Sequence, residues 1–190
     1  MNILPDHARV SLITFNKFVF VYEFASKINT VYCISGVKDY KTKNVMDQIG
    51  INIGSDPRMI THDITKKFLV PVKEYKDRII KRIRDVKCDH NIYVNERPIR
   101  VTGQALNVAL AMAEVSPILP RVCMLLGGPC TGGPGQVLAQ SYKSLMRSPL
   151  ELSEGQNLEF YEKAKKFYQS LIPKVLSKKI IIDIFAFCVE

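Results

Sequence analysis

Apolar positions follow two rhythms along this chain, and the change between them predicts its layout. "ARVSLITF" sets Val10, Leu12 and Thr14 against Ile13 and Phe15, an alternation that predicts a strand. "KFVFVYEF", from Lys17, is rich in β-branched and aromatic residues and predicts a second strand, with Asn16-Lys17 as a tight hairpin connection. A third short strand is expected near Val31 to Ile34, with a turn at Gly36. "TKNVMDQIGI" reads as a short helix ended by Gly50, and "GSDPRMITHDIT" as a loop in which Asp56 and Pro57 supply turn chemistry.

From Val72 the period becomes helical. Tyr75, Ile79, Ile83 and Val86 recur on one face, with Lys73, Lys76, Lys81, Arg82 and Arg84 on the rest. "VTGQALNVALAMAEV" predicts a buried helix with Thr102 as N-cap. "RVCMLLGG" is apolar without alternation, which predicts a fully buried strand at the centre of a parallel sheet. A second amphipathic helix is expected over about Asn157 to Ile172, carrying Phe160, Ala164, Phe167, Tyr168 and Leu171 on one side. Pro173 ends it, and "KKIIIDIFAF" follows as another buried strand. Helices alternating with apolar strands define an α/β layered sheet with helices on both faces, in one domain.

Composition narrows the class. Lys plus Arg total 27 against 18 Asp plus Glu, a formal charge of +9. Such a surface attracts nucleic acid, anionic headgroups or an acidic protein face, and charge alone does not choose among them. No zinc-finger, RNA-recognition or P-loop signature accompanies it. The start "NILPDHARV" lacks the pattern of a signal peptide, and "IIIDIFAFCV" is too short to span a bilayer, so a soluble cytosolic chain is expected. Cys33, Cys88, Cys123, Cys130 and Cys188 show no C-x-x-C spacing and no metal-ligand pattern with His7, His62 or His90, so reduced, packed cysteines are expected.

The stretch "LLGGPCTGGPGQV", Leu125 to Val137, admits three readings. Gly128 and Gly133 have Walker A spacing, but Pro134 and Gly135 stand where that loop needs its lysine and hydroxyl residue. Cys130 is a nucleophile only if a base and an orienting partner lie beside it. The third reading is a rigid presenting loop at the carboxyl end of a strand, where ligands and partners dock in open α/β sheets.

"ERPIRVTGQALNVALAMAE", "RVCMLLGGPCTGGPGQV" and "YEKAKKFYQSLIPKVLSKKIIIDIFAFCVE" closely resemble successive parts of one family, as do "NILPDHARVSLITF" and "SGVKDY" earlier on. It is that of the COPII inner-coat subunit that activates the small coat GTPase, the twenty-third of the Sec series. The resemblance runs from Leu4 to Cys188, and the G-G-P-C-T-x-G-P-G loop is its most specific part. It implies a von Willebrand A-like trunk domain over residues 1–190 whose first central strand precedes Met1, leaving "RVSLITF" and "RVCMLLGG" as unpaired edges. The family's zinc-finger, β-sandwich, helical and gelsolin-like modules match nothing in this chain, and zinc is expected only in the first of these.

The resemblance further implies binding to the coat GTPase in its GTP state, pairing with the paralogous cargo-binding subunit, and contact with an anionic membrane surface, with no nucleic acid. It places the protein in the cytoplasm, peripheral on endoplasmic reticulum exit sites and COPII vesicles. The arginine that the resembled subunit inserts into the GTPase belongs to a later module, so no catalytic residue is expected here. No metal is expected either: alignment with the superfamily's cation motif puts Arg100 at a liganding Thr and Gly128 at a liganding Asp. A von Willebrand A-like module of the paralogous cargo-binding subunit is the alternative. Arg97, Arg100, Gly128, Pro129, Cys130, Thr131, Gly133 and Pro134 are the candidate partner contacts, on one expected sheet edge.

Overall fold

A computed structural model of the chain describes residues 4–26, 28–53, 56–87, 94–156 and 158–187. The expectations for Gly54, Ser55, Cys88, His90, Asn157 and Cys188 lie outside the described residues.

The first strand-like run is two strands. β1 (Arg9–Val10) diverges from β2 (Ile13–Phe15), and β2 continues antiparallel into β3 (Phe18–Tyr22) and β4 (Val31–Ser35). The connection at Asn16-Lys17 is tight: the Asn16 N–H donates to the Phe18 carbonyl and Asn16 Oδ1 accepts from the Phe18 N–H, both at 3.0 Å. α1 (Thr42–Gln48) ends before Gly50, whose φ is +72°.

The expected loop after it is instead helix α2 (Pro57–Lys67). Asp56 caps it by accepting from the Arg58 N–H at 2.8 Å, and Pro57 suits the first turn because its missing N–H would have no partner there. The turn residues were helix-start residues, and Ile60, Ile64 and Phe68, four apart, supply the inward stripe.

β5 (Val70–Pro71) pairs antiparallel with β1 and leads into α3 (Val72–Asp85). Val72 and Ile79 are buried, but Ile83 and Val86 are exposed, so the last turn of the stripe overhangs the core rather than entering it.

α4 (Thr102–Val115) holds the molecule together. Val101, Ala105, Val108 and Met112 join Val19, Val21 and Ile34 of the meander, with Val45, Met46 and Ile64 of α1 and α2, in one core. Leu106, Leu110 and Ala113 join a second core with Met124, Leu171 and Ile180. Thr102 is not the cap: Val101 occupies that position without a side-chain bond, and the buried Thr102 Oγ1 has no hydrogen-bond partner among the described residues. A third core of Phe24, Val70 and Ile79 receives Leu12 and Tyr22, so α3 reaches the opposite side of the meander from α1, α2 and α4.

β6 (Arg121–Leu126), short α5 (Pro149–Ser153), α6 (Glu159–Ser177) and β7 (Ile181–Ala186) complete the chain. β6 and β7 pair in parallel, Arg121 opposite Ile181 through Leu126 opposite Ala186. Pro173 does not end α6: it lies inside the helix, on an exposed turn where the Gln169 residue it leaves without a donor also faces solvent.

The expectation of two fully buried strands is corrected. Val122, Met124, Leu126 and Ile182 face α4 and α6, whereas Leu125 is 68% exposed and Ile181 and Phe185 are 55% and 50% exposed on the other face. Nor is β6 central. Among the described residues it pairs with β7 alone, β2 pairs with β3 alone, and the strands form three separate sheets rather than one. β2 and β6 are thus edge strands of separate sheets among the described residues, and α4 packs against both of them.

Candidate partner-contact site

The glycine-rich stretch is a joint. Thr131 is buried and ties the loop to the strand-like run before α4: its N–H donates to the Arg100 carbonyl at 3.1 Å, its hydroxyl donates to the Pro98 carbonyl at 2.6 Å, and its Oγ1 accepts from the Arg100 N–H at 2.9 Å. The Cys130 carbonyl then accepts from Val137 and Leu138, closing the loop on itself. Small residues are needed where three segments meet. Gly133 has φ +70°, and a Cβ there would overlap the Gly36 carbonyl oxygen. At Gly103 a Cβ would overlap the Pro134 carbonyl oxygen. The loop therefore locks the end of β4, the start of α4 and the face of α6 together.

Tyr168 of α6 completes the joint, its hydroxyl donating to the Gly135 carbonyl at 3.3 Å. Burial, with a smaller contribution from the nearby Cys130, pushes that hydroxyl above the usual tyrosine range and keeps it a donor.

Arg97 extends the joint toward the surface without reaching it. It is 5% exposed, and its guanidinium donates to the carbonyls of Ala139 (3.2 Å), Ser141 (2.7 Å) and Ser144 (3.1 Å) while lying 4.7 Å from the Tyr142 ring centroid. Its backbone N–H donates to Gln140 at 2.7 Å, and the Tyr142 N–H donates to Asn95 at 3.2 Å. Among the described residues this buried cation is held by carbonyl dipoles and a ring face. Arg97, expected among the partner contacts, is buried and acts on the chain itself.

Of the other nominated residues, Gly128, Cys130 and Thr131 are buried, while Arg100, Pro129, Gly133 and Pro134 are partly exposed along the loop's rim. The Cys130 thiol donates to the Gly132 carbonyl at 3.4 Å, the contact of a packed small side chain. Arg100 and Gly128 do meet: a Cβ on Gly128 would overlap the Arg100 guanidinium. The two positions that alignment assigns to a cation site therefore hold a cation of the protein's own and no carboxylate, a donor set that does not fit a metal ion. Among the described residues, no group of three or more His, Cys, Asp and Glu side chains could hold one.

Away from the joint, α3 carries Lys73, Lys76, Arg78, Lys81, Arg82 and Arg84 against Glu74, Asp77 and Asp85. Beside it lies a cleft of about 180 Å³ lined by Glu23, Phe24, Arg78, Lys81, Arg82 and Asp85. Arg78 is spent on the Phe24 and Ser26 carbonyls, at 2.9 and 3.1 Å, and Arg82 lies over the Tyr22 ring. Mixed charge in a shallow cleft gives it no single ligand chemistry.

The surface that sequence reasoning missed is the turn Arg97 holds. Leu145 is 82% exposed, Val94 on the paired segment is 90% exposed, and Tyr142 and Met146 are both exposed. "SYKSLMRSP" has neither helical nor strand periodicity; its only signal is large apolar residues in a segment otherwise suited to a turn.

Layered helices on interrupted sheets, with a rigid loop at the carboxyl end of a parallel strand, define a von Willebrand A-like α/β module. The family model described as the Sec23/Sec24 trunk domain matches residues 1–190, the whole chain. The chain belongs to the Sec23/Sec24 trunk family and is part of a COPII coat subunit. Among the described residues, no helix is long and apolar enough to cross a membrane.

Proposed function

We propose that this trunk segment serves the GTPase-activating branch of the coat, binding the small coat GTPase in its GTP state and pairing with the paralogous cargo-binding subunit at endoplasmic reticulum exit sites. The observation that carries the reading is the G-G-P-C-T-x-G-P-G loop, Gly127 to Gly135, within a chain that matches the trunk family throughout. Its geometry supports a presenting role: a joint of three segments fixes the rim formed by Arg100, Pro129, Gly133 and Pro134 at the end of β6. The formal charge of +9 supports a further contact with anionic lipid, to which each lysine or arginine near the surface contributes about 1 kcal/mol. No cofactor and no nucleic acid enter this reading.

No residue of this trunk domain is assigned to GTPase activation, since the arginine that the resembled subunit inserts belongs to a different module of that subunit. The trunk family description spans both coat branches, so the cargo-binding paralogue is the second reading. Two readouts test the proposal. Single-turnover hydrolysis by the coat GTPase is expected to run at the same rate with and without the chain, and the chain is expected to co-elute with the paralogous subunit. A substantial acceleration contradicts the assignment of catalysis to another module. Failure of the folded chain to co-elute contradicts the pairing.

A further inference from the structure

The turn over residues 141–147 combines order with exposed apolar side chains, and ordinary surface loops do not. Arg97 clamps it through the Ser141 and Ser144 carbonyls, the Ser144 N–H closes back on Ser141 at 3.1 Å, and Arg147 ties its far end by donating to the Val137 carbonyl at 2.8 Å. Three anchors thus fix a narrow convex knob. What it displays is Tyr142, Lys143, Leu145 and Met146, with Val94 alongside, where Glu96 bridges Ser141. Leu145 at 82% and Val94 at 90% exposure lie in open solvent on a backbone that spends a buried arginine to stay in place.

The chemistry of the knob favours one occupant. Lys143 and Arg147 are its only charged residues between Ser141 and Pro149, and no carboxylate interrupts them. Tyrosine, leucine and methionine beside cations are the side chains that settle at the boundary of headgroups and acyl chains: the apolar parts enter, the hydroxyl and ammonium stay wet. A convex tip of four or five side chains falls well short of the roughly 20–30 residues per side of a stable protein interface. It needs no groove to bury itself in a bilayer.

We propose that this knob is a membrane-interface anchor: Tyr142, Leu145 and Met146 insert at the surface of an anionic bilayer while Lys143 contacts its headgroups. The inference rests on the membrane contact in the proposed function and names the element that makes it.

The chain contains no tryptophan, so a Leu145→Trp variant reports from the knob alone. With vesicles of phosphatidylcholine and phosphatidylserine, its emission is expected to shift to the blue and to be quenched by brominated acyl chains. Co-sedimentation of the Leu145→Ser/Met146→Ser variant, whose exposed positions leave the fold intact, is expected to weaken by ~10-fold or more relative to the unsubstituted chain. If the unsubstituted chain binds these vesicles but the tryptophan is neither shifted nor quenched, the knob is not the anchor and the membrane contact lies elsewhere, as on α3. A blue shift on adding the paralogous subunit, and none with vesicles, makes the knob a protein contact and overturns the proposal. If the unsubstituted chain binds no anionic vesicle, the membrane reading falls with it.

Discussion

Arg97→Ala is expected to lower the stability of the chain by about 3 kcal/mol, through loss of hydrogen bonds rather than of a surface contact. The substitution strands the carbonyls of Ala139, Ser141 and Ser144 and removes the cation beneath the Tyr142 ring. Each buried acceptor left without a donor costs about 1–3 kcal/mol, and water reaching the opened turn offsets part of the sum. For a chain of this length the change corresponds to a fall of roughly 6–12 °C in the melting temperature. Arg97→Lys keeps the charge but not the guanidinium geometry that brings one nitrogen, Nη1, to all three carbonyls with the group over the Tyr142 ring, and recovers less than half of the loss. Chemical denaturation measures both variants. A loss below about 1 kcal/mol for Arg97→Ala would place it among ordinary surface substitutions and remove the clamp from this account.

The second large effect is association. The purified 190-residue chain is expected to form dimers or larger species at micromolar concentration, seen as a concentration-dependent mass in light scattering. Among the described residues β2 and β6 are each paired on one side only, and open strand edges pair with whatever strand reaches them. On the exposed face of β6 and β7, Leu125 and Phe185 stand opposite each other and add apolar surface beyond the Arg121–Asp183 ion pair. Leu125→Lys with Phe185→Lys is expected to shift the mass toward monomer without lowering the cooperativity of unfolding, because both side chains already face solvent. A monodisperse monomer across the concentration range would show that these edges do not drive association.

The sequence carried the helices that bury a continuous stripe and the strands that alternate. α3 and α4 lie where the spacing of Tyr75 and Ile79 and the apolar run from Val101 put them. α2 was hidden because Asp56 and Pro57 start a helix with the same chemistry that makes a turn, and only Ile60, Ile64 and Phe68 distinguish the two. The exposure of β7 was illegible, since a run such as "IIIDIF" records affinity for a core but not whether anything covers it. At the site, the packing of Arg100 against Gly128 is a contact between segments 28 residues apart that the spacing of neither residue announces. The role of Arg97 did not follow, because its partners are carbonyls 42 to 47 residues away, and backbone acceptors leave no mark in a sequence.

Contact between this trunk domain and the coat GTPase, through the surface shaped by the loop joint, is tested most directly by a binding titration of the purified chain against the coat GTPase loaded with a non-hydrolysable GTP analogue and with GDP. Saturable binding to the GTP-analogue form and little to the GDP form is expected. Absence of binding in both states, by a chain shown to be folded, would contradict it.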